Sequence, residues 1–124
     1  MMNELIHKEL TGQIIGAAFE VYNLLGYGFL EKVYENALIK ELQIRDLNFN
    51  AQYPIKVKYK GEEVGEYFAD IFVEGKVIVE LKTGEAFNPL HEAQLLNYLK
   101  ATETKVGLLI NFSPKKCEYK RFVF

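Results

Sequence analysis

Two apolar runs joined by a short polar turn constrain this chain more than any other feature. They span residues 65–73 and 76–82 and are separated by Glu74 and Gly75. Bulky apolar residues occupy both parities of both runs, a pattern typical of strands that protein covers on both faces. We therefore predict two neighbouring strands in the middle of a sheet.

Three charged residues interrupt these runs: Asp70 in the first, and Glu80 and Lys82 in the second. An ionised carboxylate in such a place costs on the order of several kcal/mol unless a cation or a hydrogen-bond donor compensates it. One alternative is a structural ion pair of Lys82 with Asp70 or Glu80, which leaves the other carboxylate uncompensated. A bound metal ion accounts for both carboxylates.

The hairpin register decides whether the three side chains meet. Side chains two residues apart on a strand share a face, so Glu80 and Lys82 point the same way. A two-residue turn would put Asp70 on the opposite face, whereas a three-residue loop places it opposite Glu80 or diagonal to it. Because Gly75 suits the left-handed position that such a bulged loop requires, we predict the longer loop.

The residue types define a chemistry. Carboxylate oxygens are hard ligands that favour Mg²⁺ or Mn²⁺. Such an ion lowers the pKa of water and so supplies a nucleophile near neutral pH. Lys82 could orient that water or stabilise the negative charge that develops during attack on phosphorus. The pattern therefore predicts metal-assisted hydrolysis of a phosphodiester.

A family resemblance rests on an ordered set of motifs. Asp70 and the later segment 80–82 (ELK) resemble the site motif of the PD-(D/E)xK nuclease superfamily, with Ala69 where the first motif has Pro. Residues 28–34 (GFLEKVY) are similar to the motif that names its GxxExxY branch. The other matching segments are AFEV at 18–21, VELK at 79–82 and HEAQLLNY at 91–98. The matches extend from about Glu4 to the C-terminus.

The resemblance implies a fold, a ligand set and a reaction. The fold is an α/β restriction-endonuclease-like core, in which helices flank a central mixed β-sheet. Asp70, Glu80 and the backbone carbonyl of Leu81 would bind Mg²⁺ or Mn²⁺, and Lys82 would stabilise charge. The reaction is nuclease cleavage of nucleic acid. The alternative is a non-catalytic module of the same fold that binds nucleic acid or a protein partner.

A helix acid is expected to complete the site. Glu31 precedes Tyr34 and Leu38 by three and seven residues, which predicts that it shares their inward face. The simpler interpretation is a first-turn acid that favours the positive end of a helix. Glu20 is the competing candidate from the preceding helix. We rank Glu31 first, as a metal or water ligand, with Tyr34 in a supporting role.

A second group of polar residues lies on a later helix. His91, Gln94 and Tyr98 are three and four residues apart, which places them on one stripe. Gln94 and Tyr98 resemble the motif that follows the catalytic strands in RecB-like relatives. Gln94 could bind a site carboxylate or a phosphate, and Tyr98 could brace it. The alternative is a polar helix edge with an amphipathic tyrosine.

Periodicity and turn residues predict one domain over residues 1–124. The expected order is α-α-β-β-β-α-β-β, with an edge or bulged strand that starts at Pro54 and a helix that Asn88 caps. The predicted elements are helices at 4–25, 30–45 and 89–101 and strands at 54–60, 65–73, 76–82, 105–112 and 118–124.

Composition adds expectations about partners and location. A net charge of −2 gives no global positive field, so nucleic-acid binding requires a local basic patch, a homodimer or a larger partner protein. We favour DNA over RNA. Lys56, Lys58 and Lys60 lie along one strand, where solvated surface is the usual role of such a run. The single Cys117, and the absence of a signal peptide or a membrane span, predict a cytoplasmic protein.

Overall fold

The computed structural model describes residues 6–124. In chain order the elements are α1 (Lys8–Leu25), α2 (Glu31–Ile44), β1 (Phe49–Tyr59), β2 (Glu62–Val73), β3 (Val77–Thr83), α3 (Pro89–Thr102), β4 (Val106–Phe112) and β5 (Cys117–Val123). The predicted α-α-β-β-β-α-β-β order is confirmed. Asn88 caps α3, as predicted, by accepting a hydrogen bond from the Leu90 N–H at 2.8 Å.

The five strands form one mixed sheet in the order β1-β2-β3-β4-β5. Neighbours are antiparallel except β3 and β4, which run parallel. Parallel neighbours need a crossover connection, and α3 supplies it. The predicted α/β core with a central mixed sheet is therefore confirmed. Over residues 6–124, none of the helices combines the length and the apolar character that a bilayer crossing demands.

Helices cover both faces of this sheet. Leu38 of α2 belongs to the same buried cluster as Val79 and Leu108, on the face that α1 and α2 cover. Leu95 of α3 belongs to a second cluster with Ile78 on the opposite face. Since adjacent residues of β3 point to opposite faces, the continuous apolar run of this strand fills both clusters.

The loop between β2 and β3 is the longer one that the sequence predicted. The register pairs Val73 with Val77 and leaves three residues between them. Gly75 in this loop has a φ of 63°, the left-handed conformation that was expected of it. Continued along the strands, the same register sets Asp70 opposite Glu80.

Only the second half of β2 is covered on both faces, so the prediction for the run that began at Gly65 is wrong in part. Tyr67 and Phe68 are 49% and 50% exposed, and pairing with β3 starts only at Ile71. Within the part of the chain that the structure describes, no third strand pairs with residues 53–69 of β1 and β2. These residues form a two-stranded ribbon, and apolar content alone did not distinguish it from a buried strand.

The largest differences from the predicted element boundaries are at the starts of β1 and α1. β1 starts at Phe49, five residues before the expected Pro54, because Phe49 packs against the cluster under α1 and α2. Pro54 lies on an edge strand, as expected. α1 starts at Lys8, after a turn, whereas the predicted start at Glu4 lies outside the described residues.

Candidate active site

Asp70 and Glu80 lie side by side where β2 and β3 stop pairing. The Asp70 N–H donates to Glu80 Oε2 at 2.7 Å, and the Leu81 N–H donates to Asp70 Oδ2 at 2.8 Å. Each carboxylate thus accepts a hydrogen bond from a backbone N–H of the opposite strand, and this hydrogen bond fixes its position. Their second oxygens, Asp70 Oδ1 and Glu80 Oε1, make no hydrogen bond to any residue between 6 and 124.

The Leu81 carbonyl faces the same opening. In an antiparallel ladder, the N–H and C=O of one residue point towards the same neighbouring strand. Because the Leu81 N–H donates to Asp70 on the β2 side, the Leu81 C=O also faces that side, beyond the last β2–β3 pair. An oxygen in this position adds a third hard donor to the two carboxylates.

β2 changes the face that it presents at Asp70. Alternate residues of a regular strand share a face. Ala69, however, belongs to the cluster under α3, whereas Ile71 belongs to the cluster under α1 and α2. On β1, Gln52 lies between the partners of these two residues and has a left-handed φ of 52°. At this crossing Asp70 comes close to the charges of Glu31 and Glu35 on α2.

Burial dominates the protonation of both carboxyl groups. It raises the pKa of Glu80 to about 8, with the charge of Asp70 acting in the same direction and that of Lys82 against it. Burial also raises the pKa of Asp70, and the charges of Glu35 and Glu31 raise it further. The protein therefore leaves the negative charge of this site undercompensated, an electrostatic condition that favours a cation.

Lys82 lies on the face of Glu80 without forming an ion pair. Lys82 is half-buried, and no described carboxylate oxygen lies within 4.0 Å of its Nζ. The structural ion pair considered as an alternative is thus not formed among residues 6–124. The N–H groups of the Lys82 ammonium are therefore available to donate hydrogen bonds to an acceptor other than these carboxylates.

Asn111 is a neighbour of Lys82 that sequence reasoning missed. The parallel register pairs the two residues across β3 and β4. Asn111 Nδ2 donates to the Gly84 carbonyl at 3.1 Å and to Glu118 Oε2 at 3.4 Å. Its Oδ1 is buried and has no hydrogen-bond partner in the described structure. Since buried acceptors are nearly always paired, this oxygen is a candidate acceptor for the Lys82 ammonium.

The predicted helix acids are both exposed, contrary to expectation. Glu31 is the first residue of α2, and its side chain leans beyond the helix end, where no turn covers it. Its charge still raises the pKa of both site carboxyls. Glu20 lies on a side of α1 where Leu24 is 76% exposed, and it is not among the groups that shift either pKa.

The buried acid of α2 is Glu35, which the sequence interpretation missed. Glu35 is 5% exposed, accepts two hydrogen bonds from Gln52 Nε2 at 3.2 and 3.1 Å, and pairs with Lys32 at 3.1 Å. Its charge raises the pKa of Asp70, as does that of Glu31. A signal existed: Glu35 precedes Leu38 by three residues and shares its buried stripe.

Tyr34 positions the start of α2 and does not reach the carboxylates. Its ring is fully buried and stacks on Phe112 with a centroid distance of 4.3 Å. Its hydroxyl donates to the Gly26 carbonyl at 2.5 Å. Gly28 has a φ of 118°, a conformation that favours glycine. Gly28 and Tyr34 of the 28–34 motif therefore fix the loop that precedes Glu31.

Of the triplet predicted on α3, Tyr98 lies in the electrostatic field of the two carboxylates. Burial raises its pKa to about 12, and the charges of the two site carboxylates act in the same direction. Its ring is 5.8 Å from that of Tyr67. Gln94 and His91 are half-buried, and the carboxylates bind backbone N–H groups instead of these side chains.

The donor set fits a hard divalent cation. Over residues 6–124, no group of three or more His, Cys, Asp or Glu side chains could hold a metal ion on its own. Mg²⁺ typically uses one or two carboxylates and completes its shell with water and substrate phosphate oxygens. Asp70, Glu80 and the Leu81 carbonyl offer oxygen donors of this kind.

Comparisons with known proteins give a family and a fold. The profile of the PD-(D/E)XK nuclease superfamily matches residues 8–122. The crystal structure of SSO0001 is similar to this chain, with a TM-score of 0.59 and 19% sequence identity, and the likeness covers 94% of this chain. It covers 59% of the SSO0001 chain, and at this identity it shows the fold alone. No curated protein matches.

Proposed function

The chain belongs to the PD-(D/E)XK nuclease superfamily, and we propose that it hydrolyses phosphodiester bonds of nucleic acid with Mg²⁺ or Mn²⁺. Within the superfamily we assign it to the GxxExxY branch, on the segment at residues 28–34. One observation carries the proposal: Asp70 and Glu80 lie together with raised pKa values, and no cation among residues 6–124 forms an ion pair with either of them. A purely structural pair would be expected to have its own countercharge.

Three oxygen donors would hold the metal ion. Asp70 and Glu80 each have one carboxylate oxygen that accepts a backbone N–H and one without a hydrogen bond in the described structure. The Leu81 carbonyl adds the third donor. A divalent ion, when bound, supplies an activated water and neutralises charge on the phosphate.

The surrounding residues then position the substrate and stabilise charge. The Lys82 ammonium donates to a phosphate oxygen as negative charge develops there. Asn111 Oδ1 is suited to hold that ammonium in place. Glu31 orients water from the edge of the site, and Glu35 keeps the local field negative from beneath it. Gln94 and His91 are the α3 side chains suited to contact phosphate.

DNA is the substrate to test first, with RNA as the comparison. Because the net charge is −2, nucleic-acid binding depends on local contacts, and a second copy or a larger partner protein could supply further cations. The rival function is a non-catalytic module that uses this fold to bind nucleic acid or protein. It predicts no divalent-ion requirement.

A cleavage assay separates these functions. Linear single-stranded DNA, duplex DNA and RNA are incubated with the purified chain in Mg²⁺, in Mn²⁺ and in EDTA, beside Asp70→Asn. We expect cleavage with either metal and none with EDTA or the variant. Equal rates for wild type and Asp70→Asn would indicate a contaminant, and no cleavage of any substrate would favour the binding module.

A further inference from the structure

The β1–β2 ribbon brings an exposed aromatic ring to the rim of the site. Tyr67 precedes Asp70 by three residues on β2 and is 49% exposed. Its ring lies 5.8 Å from that of Tyr98, at an interplanar angle of 47°. Tyr98 in turn lies in the field of the two carboxylates. Tyr98 therefore lies between the carboxylates and Tyr67, and the Tyr67 ring is exposed to solvent.

Tyr67 occupies the site face of the ribbon. It pairs with Ile55, and Ile55 and Ala69 belong to the cluster beneath α3. Glu80 follows Ile78 of the same cluster at the two-residue spacing of a strand face. The ring thus lies on the side of the sheet from which Glu80 projects.

The opposite face of the ribbon offers a contrasting surface. Phe68 is 50% exposed there and pairs with Pro54. The lysines of β1 lie opposite glutamates of β2: the register pairs Lys56 with Glu66 and Lys58 with Glu63. These cross-strand pairs balance the positive charge locally, so this face has no net attraction for a phosphate backbone.

We propose that Tyr67 stacks on an unpaired base next to the scissile phosphate, and that the substrate is single-stranded at this point. The inference rests on the proposed function. A base presents its flat face to a side chain only when it is unstacked, whereas the bases of a duplex cover each other. Every base has such a face, so the contact gives affinity without sequence preference.

A nucleic acid is a better occupant than an apolar protein surface. An apolar surface that covered Tyr67 and Tyr98 would also approach the buried carboxylates and Lys82, and would desolvate them without compensation. A nucleotide strand would place its phosphate beside the carboxylates and Lys82 and its base on the Tyr67 ring. One ligand thereby satisfies both parts of the site.

Phe68 supplies a matched control for Tyr67. The two rings are adjacent in sequence and equally exposed, and they lie on opposite faces of the ribbon. Tyr67→Ala, Tyr67→Trp and Phe68→Ala are compared with wild type in EDTA, which prevents metal-dependent cleavage. Fluorescence anisotropy reports binding of a labelled single strand of about 12 nucleotides and of the same sequence as a duplex.

We expect wild type to bind the single strand more tightly than the duplex. Tyr67→Ala raises the Kd for the single strand by about 5- to 150-fold and leaves the duplex Kd unchanged, because one base–ring stack is lost. Phe68→Ala changes either Kd by less than about 2-fold, and Tyr67→Trp preserves single-strand binding. Thermal melting of each variant establishes that it is folded.

Three results would overturn the proposal: no binding of the single strand by wild type, equal losses in Tyr67→Ala and Phe68→Ala, or an equal loss on the duplex. The cleavage assay tests the proposed function separately. If single-strand binding depends on Tyr67 but no cleavage occurs, the proposed nuclease function is refuted and the proposed stacking site is supported. If metal-dependent cleavage occurs and Tyr67→Ala binds the single strand normally, the nuclease function is supported and the stacking site is refuted.

Discussion

The two ends of the β2–β3 hairpin share one strand pairing but differ in their side chains, which are apolar at the loop end and charged at the other end. At the loop end, Ile71 pairs with Val79 and Val73 with Val77, and all four side chains are fully buried and apolar. At the other end the ladder stops, and the next pair of side chains consists of carboxylates with raised pKa values. The apolar end stabilises the fold, and that stability offsets the cost of holding like charges together at the charged end.

The largest effect is expected from Glu80→Gln, which tests the charged end directly. Gln can still accept the Asp70 N–H but is a poor ligand for a hard cation. We expect the cleavage rate to fall by at least about 10³-fold, because about 4 kcal/mol or more of charge stabilisation is lost. Glu66→Gln, an exposed acid of the neighbouring strand β2, is the control and should cleave normally. Equal losses in both variants would refute a local role for Glu80.

Lys82→Ala is expected to cost somewhat less. Removal of one donor that stabilises developing charge lowers kcat by about 10²- to 10³-fold. The metal affinity should remain close to that of wild type. Lys76→Ala, in the exposed loop at the apolar end, serves as the control with unchanged kcat. A loss confined to KM would assign Lys82 to substrate binding instead.

Ile78→Ala tests the apolar end of the comparison. Ile78 is fully buried under α3, and truncation of such a side chain costs about 2–5 kcal/mol in the free energy of unfolding. Urea denaturation measures this loss. The cleavage rate per folded molecule should change little at a temperature where the variant is folded. A small stability loss with a large loss of activity would show that the two ends are not separable.

The pH dependence of stability should reveal the strain at the charged end. Because the pKa of Glu80 is raised from 4.5 to about 8, the native state keeps a proton that the unfolded state releases. The stability contributed by the protonated carboxyl is fully present below about pH 4.5 and is lost as the pH rises through about 8.

In metal-free buffer we therefore expect the free energy of unfolding to fall through this group as the pH rises between these values. Glu80→Gln should flatten the profile and be more stable than wild type near pH 8. A profile that rises over this interval in wild type, or that is identical in the variant, would contradict the assigned shift.

The fold was largely predictable because short sequence segments, through their periodicity and turn residues, specify its helices, strands and loops. The three-residue loop followed from the requirement that Asp70 meet Glu80, and the Asn88 cap followed from its position before Pro89. Element order needed only periodicity and turn residues. The exposed ribbon was not predictable, since the pairing of β2 with β3 begins only at Ile71 and the exposure of Tyr67 depends on where this pairing stops.

The candidate site was predictable on the strands and less so on the helix. Glu31 was expected to be buried, but the end of α2 exposes it, and Glu35 is the buried acid. Gln52 and Asn111 carried no sequence signal. Their relevance arises from a left-handed backbone on β1 and from a parallel register with Lys82, both of which are tertiary features.

Manganese binding measured by calorimetry tests the central claim most directly, because it requires neither a substrate nor turnover. At about pH 8, where Glu80 is substantially ionised, we expect one Mn²⁺ per chain for wild type and at least about a 10-fold weaker Kd for Asp70→Asn. Heat signals that are absent in wild type, or that are the same in wild type and Asp70→Asn, would contradict a metal site between the two carboxylates.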